Sequence, residues 1–344
     1  MVVPGSMPNM MRSVANFKFF TFAGMLTLSR KAKQFLVLTA KLLIVGGAFY
    51  FIYSRIADND QLDWSRVTEA ASQKDATVLI FAILLLTFLN RFLEILKWQN
   101  LVSWLLPLSL GKATEQVLAA VTAAIFTPNG IGEYAAKALY YKKQQAKDII
   151  FLNLVCNGAQ LIIAVLAGII GLVVFNALYH VMGTGTLLAI IGALLGVCGL
   201  VFASRNITIK GYSMQRLFAK VGEMPKAIHR KNIILAIGRY LSIIHQHYFI
   251  FLLFGVDLPY PIMISAIAGV YFLGSSLPTF QLLDFAVRGS VAIGFFGILG
   301  VNEWIVVFAA TLQWLLNIVL PVSVGSYFVF RFRASPQPSS KERE

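Results

Sequence analysis

Cysteine, histidine and acid are all scarce in this sequence, and each shortage removes a class of function. The two cysteines, Cys156 and Cys198, lie within apolar runs and lack metal-ligand spacing. They read as small core residues, which leaves no disulfide framework and no cysteine chemistry. Of the four histidines, His245 and His247 are two apart, about 200° around a helix, so they cannot share the face that an H-E-x-x-H metal site needs. No nucleotide-binding P-loop is present, so nothing in the chain drives work by phosphate hydrolysis. Asp and Glu number 15 against 29 Lys and Arg, a net charge of +14. That sign suits nucleic acid, but the bases gather in loops between apolar runs, where the positive-inside rule places them. No nucleic-acid partner, metal or cofactor is expected.

What the chain has in abundance is apolar length. Hydrophobic residues make up 58%, the mean hydropathy is +0.74, and runs of membrane-spanning length recur. The fold class is therefore an all-α polytopic membrane protein. A basic segment, 1–33, with Arg12, Lys18, Arg30, Lys31 and Lys33, precedes a first span at 34–53 that reads as retained, with Asp58, Asp60 and Asp63 beyond it. A short interfacial helix at 62–75 then leads to spans at 76–98, 149–175 and 186–203. The loop 204–232, with Arg205, Lys210, Arg216, Lys220, Lys226, Arg230 and Lys231, is the strongest cytoplasmic signal. Spans at 233–254 and 304–330 follow, then a cytoplasmic tail, 331–344. Both termini are expected on the cytoplasmic side of a cell inner (plasma) membrane.

Two apolar stretches do not fit the span pattern. In the first, 113–141, Thr127-Pro128-Asn129-Gly130-Ile131-Gly132 interrupts the run, and Glu133 and Lys137 follow as an acid and a base four apart. Pro128 removes a donor, and Gly130 and Gly132 admit conformations other residues avoid, so the helix must break. Its first piece, 113–126, is about 21 Å long, short of a ~30 Å hydrocarbon core. Basic residues flank both ends, so the segment is expected to be a re-entrant hairpin entering from the cytoplasm. In the second stretch, 261–299, the break lies near Pro278 and Gln281, and Asp284 and Arg288 repeat the acid-base spacing. Its flanks carry Asp257 and Glu303 and no base, so this hairpin is expected to enter from outside.

The halves 34–175 and 176–330 then share one order: span, span, hairpin, span, in opposite orientations. That is the pattern of an inverted repeat, which puts a site near the membrane midplane. Arg91-Phe92-Leu93 corresponds to Arg239-Tyr240-Leu241, Pro128 to Pro278, Glu133 to Asp284 and Lys137 to Arg288. Ionisable residues at membrane depth are functional candidates. The expected substrate-binding set is Asn90, Arg91, Glu94, Thr127, Pro128, Asn129, Gly130, Gly132, Glu133, Lys137, Asn157, Gln160, Arg239, Pro278, Gln281, Asp284, Arg288 and Gln313. Its cationic excess favours anionic head groups, while its acids leave a cationic group or a proton open.

The TPxxxGE segment of the first hairpin, the LPT...D...RGS segment from Leu277 to Ser290 and the NR..E..KW segment from Asn90 to Trp98 carry a resemblance. Together they resemble the transmembrane region of lysylphosphatidylglycerol synthases, a family of flippase-like integral membrane proteins, over about residues 34–330. Full-length synthases of that family append a soluble aminoacyl-transfer domain. The resemblance implies the lipid-translocating part without the enzyme.

Each feature also has a plainer reading. Arg91 and Lys97 could snorkel to the interface. Asn153, Asn157 and Gln160, and likewise Gln313 and Asn317, form stripes that either line a cavity or join helices by amide bonds. Trp98, Trp104, Trp304 and Tyr327 read as interface anchors. Gly168 and Gly171 read as points of close helix packing. The function expected is a lipid translocase, moving an anionic or modified phospholipid or lipid-linked head group, passively or coupled to an ion. The alternatives are a scaffold that recruits a lipid-modifying enzyme through the basic loop, and a membrane-embedded lipid transferase with Glu133 or Asp284 as base.

Overall fold

The computed structural model describes residue 72 and residues 75–332, apart from 126, 129, 277–282 and scattered positions between 182 and 213. The basic segment 1–33, the span at 34–53, nearly all of the interfacial helix at 62–75, much of the span at 186–203 and the tail from 333 lie outside the described residues. Among the described residues the secondary structure is helical. Helix α1 is Ala76–Val102, α2 Leu110–Ala124, α3 Gly132–Ala138 and α4 Ala146–Tyr179. Then come α5 Met214–Glu223, α6 Lys226–Leu253, α7 Tyr260–Ser276 and α8 Asp284–Ile298. The last rod is α9, Glu303–Trp314, a π-helical turn, Leu315–Val319, and α10, Leu320–Arg331.

Local chemistry sets these limits. Ser109 caps α2 by accepting from the Lys112 amide at 3.4 Å, and Asn302 caps α9 by accepting from Trp304 N at 2.9 Å. Pro225 precedes α6, a place where no helical donor is lost. Helix α1, with 27 residues, runs about 40 Å, and α4, with 34, about 51 Å. Three helical stretches are long and apolar enough to cross a membrane: α1, α4 and the continuous rod Glu303–Arg331.

The apolar surface faces outward. Val78, Phe81, Leu85 and Phe88 of α1, Leu161, Ile162, Leu166 and Ile170 of α4, and Leu320 and Val324 of α10 are exposed. A soluble chain rarely shows that much contiguous apolar surface. With such an exterior, helices associate by close packing and polar bonds more than by hiding apolar area.

Helix α1 lies along α6, α4 against α7, α10 against α2, and α8 against α9, while α2 folds on α3 and α7 on α8. Glycines allow the closest of these approaches. A Cβ on Gly171 would stand 2.8 Å from Ala268 Cβ and 2.9 Å from the Ser265 carbonyl, and one on Gly168 would meet Phe272. A Cβ on Gly325 of α10 would run into the Leu118 carbonyl and the Thr122 hydroxyl of α2. Phe175, Phe251 and Phe296 anchor one apolar cluster. Trp98, Leu101, Val117 and Leu152 anchor a second, against which Leu217 and Val221 of α5 pack.

Candidate functional site

The residues of the break explain one another. The Thr127 hydroxyl donates to the Ala124 carbonyl at 2.7 Å and accepts from Gly132 N at 2.9 Å, so one side chain closes α2 and steadies the start of α3. Gly130 has φ +68°, a left-handed conformation that costs a glycine little. At Gly132 a Cβ would stand 2.9 Å from Thr127 Cγ2, so a larger residue would displace that hydroxyl. Helix α3 therefore begins with Glu133 in its first turn and Lys137 in its last, the order that suits a helix dipole.

Glu133 and Lys137 are both buried and form an ion pair. The Lys137 ammonium also donates to Asn153 Oδ1 of α4 at 2.8 Å and lies 4.3 Å from the centre of the Trp98 ring. Trp98 is 0% exposed, and its indole N–H donates to Gln116 at 2.7 Å. The interface-anchor expectation for Trp98 is therefore corrected: α1 continues to Val102 and turns this ring inward, beneath Lys137. The Tyr141 hydroxyl donates to the same Gln116 oxygen at 2.8 Å, so Gln116 fixes both the ring below the ammonium and the end of the hairpin.

A second cluster joins α1 to α6. Arg91 and Glu94, three apart on α1, form an ion pair, and Arg239 of α6 reaches the same carboxylate at 3.3 Å. Arg239 also donates to Asn90 Oδ1 at 3.0 Å, and Asn90 donates to Asn317 Oδ1 at 2.7 Å. Asn317 sits in the π-helical turn, where its main-chain carbonyl accepts from Arg91 at 2.6 Å. Pro321, four residues on, has no N–H to give that carbonyl. The Asn317 side chain donates to Gln246 at 2.8 Å, and Gln246 donates to Thr87 at 2.6 Å, completing a polar seam along α1, α6 and the rod.

Lys97, one turn beyond Glu94, is 0% exposed, which rules out snorkelling for this side chain. Its ammonium donates to the Cys156 carbonyl at 3.1 Å and to Gln160 at 3.2 Å. Lys97 and Lys137 reach positions three residues apart on α4, Cys156 and Asn153, and Trp98, beneath Lys137, directly follows Lys97, so the two clusters adjoin.

On α8, Arg288 pairs with Asp284 at 2.7 Å and lies 4.5 Å from the centre of the Tyr271 ring of α7. Among the described residues this pair makes no ion pair with Glu94, Glu133 or Lys137. Asn157 donates to the Tyr134 hydroxyl at 3.5 Å, Gln160 to the Ala236 carbonyl at 3.4 Å, and Gln313 to the Ile243 carbonyl at 3.0 Å. These three join helices. Pro128 is exposed. Asn129, Pro278 and Gln281 lie outside the described residues.

Sequence reasoning left out Thr87, Lys97, Trp98, Gln116, Gln246 and Tyr271 as members of these clusters. A signal existed for Thr87 and Lys97: with Asn90 and Glu94 they recur at intervals of three or four on α1, one helical face. Gln246 likewise follows Arg239 by seven. Among the described residues no group of three or more His, Cys, Asp or Glu side chains could hold a metal ion. No protein-family model matches the chain, and no curated protein is similar to it at a significant level.

Proposed function

We propose that the chain is a membrane lipid translocase and not an enzyme. It would move an anionic or modified phospholipid, or a lipid-linked head group, between leaflets, passively or coupled to an ion. In this reading six spans and two re-entrant hairpins form an inverted repeat in the inner membrane, with both termini cytoplasmic. A lipid-modifying enzyme is the natural partner of such a protein.

The observation that carries this reading is the exchange symmetry of the packing. If α1 is matched with α6, α2 with α7, α3 with α8 and α4 with the rod, the helix pairs map onto one another. Helix α4 on α7 becomes the rod on α2, and α3 on α4 becomes α8 on α9. The pair α1 and α6 maps onto itself. Each short hairpin helix keeps its acid-base pair, and each base rests on an aromatic ring, although Trp98 of α1 and Tyr271 of α7 come from helices that the exchange does not match. Both equivalent contacts of α4 and the rod rely on glycine. Paired broken segments of this kind belong to proteins that open alternately to the two sides.

Arg91 supports the same reading by its depth. It stands 15 residues after the first residue of α1, about 22 Å along a helix of about 40 Å. Ionisable groups at that depth mark substrate or ion paths. The test is translocation of fluorescent anionic and zwitterionic phospholipids in liposomes holding wild type, Glu133→Gln or Arg288→Ala. Head-group-selective movement lost in both variants supports a translocase; no movement by the folded wild type sinks it.

A further inference from the structure

The charges around Glu94 do not balance. Arg91, Lys97, Lys137 and Arg239 face two carboxylates, Glu94 and Glu133, which leaves an excess of two positive charges. Glu133 is taken by Lys137, and Arg91 and Arg239 share Glu94. Lys97 has no carboxylate within ion-pair distance among the described residues, although it is 0% exposed. The charged or titratable groups acting on it are Glu94 of its own helix, Lys137 of α3, Cys156 of α4 and Arg239 of α6. Buried charge of one sign calls for a counter-charge.

The unused hydrogen-bonding capacity has the same sense. Arg91 Nε and Asn153 Nδ2 are buried donors without an acceptor, whereas neither Glu94 nor Glu133 has a buried oxygen left without a donor. Asn153 is itself 0% exposed, and its Oδ1 already holds Lys137. What the cluster lacks is an acceptor with close to two negative charges.

We infer that the head group accepted at this site is a phosphate monoester, as in phosphatidate or a polyprenyl phosphate, in preference to a phosphodiester. This rests on the translocase reading and names its substrate class. Above a second ionisation near pH ~6, a monoester carries close to two negative charges and three acceptor oxygens. A diester carries one charge and two free oxygens. Lys97 is the residue that separates them, because its charge is the one no carboxylate takes up. Free phosphate shares the monoester's chemistry but has no chains to match the apolar exterior.

The experiment is binding to the full chain in detergent at pH 7.5 and 5.5, with dioctanoyl phosphatidate, dioctanoyl phosphatidylglycerol and inorganic phosphate as probes. Phosphatidate should bind at least tenfold more tightly than either other probe at pH 7.5, with a smaller preference at pH 5.5. Lys97→Gln should erase the preference and Lys97→Arg should keep it. If Lys97→Gln fails to fold, Gln160→Ala, which frees the Lys97 ammonium from one acceptor, should still change the ratio severalfold. Equal affinity for the two lipids at both pH values overturns the inference, and so does inorganic phosphate binding as tightly as phosphatidate. Discrimination in binding without flux in liposomes would sink only the translocase reading; flux without discrimination would sink only this one.

Discussion

Arg239 of α6 reaches across to Glu94 of α1 at 3.3 Å, on a carboxylate that Arg91 already holds. One acid therefore ties the two central helices together and restrains two cations at once. Glu94→Gln keeps the shape and removes the charge, leaving two guanidinium groups without it. Removing one member of a buried ion cluster costs about 3–5 kcal/mol. Thermal unfolding in detergent should show that loss, and Arg239→Gln on top of Glu94→Gln should cost less than the two single changes added together. Strict additivity would mean that the two side chains do not act on each other.

The glycine contact between α10 and α2 gives a packing test. Gly325→Ala would press a methyl group into the Leu118 carbonyl and the Thr122 hydroxyl, and overpacking of this kind costs about 1–3 kcal/mol. Gly294→Ala on α8 meets nothing within 4 Å and should be neutral or stabilising by up to about 1 kcal/mol, from helix propensity. Similar melting losses in both variants would contradict the close approach of α10.

Trp98 has a spectroscopic consequence. In a variant with the other four tryptophans changed to Phe, the buried Trp98 should emit at short wavelength and resist quenching by iodide. Lys137→Met removes the ammonium from the ring face and should shift that emission. Ready quenching in the folded protein would return Trp98 to the interface.

The proposed opposition of the two hairpins makes a prediction about sidedness. In a Cys156→Ala, Cys198→Ala background, Lys143→Cys should react with an impermeant maleimide only from the cytoplasmic side of sealed vesicles. Asp257→Cys and Glu303→Cys should react only from the other side. Labelling of all three from one side would leave no inverted repeat.

The helices were legible because long apolar runs and their breakers are local features. Expected limits such as 76–98 and 304–330 correspond to Ala76–Val102 and Glu303–Arg331. The spacing within Arg91–Glu94, Glu133–Lys137 and Asp284–Arg288 was legible for the same reason, since residues three or four apart share a helix face, but spacing alone left Glu133 and Lys137 equally able to pair with Arg91 or Asp284 across a cavity. The cross-helix links were not. Whether Lys97 snorkels or turns inward depends on how α1 is rotated against α4, and spacing along α1 does not report that rotation. The freed carbonyl of Asn317 in the π-helical turn did have a local signal, since Pro321, four residues on, lacks the N–H that a regular helix would give it.

That turn has a mechanical consequence. The rod must seat α9 on α6 and α8 and α10 on α2, two neighbours whose directions need not fall in step with a single 3.6-residue winding. Each residue of a helix advances the facing direction by about 100°, and a π-helical turn contains one residue more than the regular winding. Leu315–Val319 thus works as a rotational adapter, resetting the phase of the second half of the rod so that Gly325 meets Leu118. Winding these same residues as a regular α-helix would advance the glycine face by about 100° and swing it out of the joint, whereas deleting one residue there would restore the regular winding and keep that face in place.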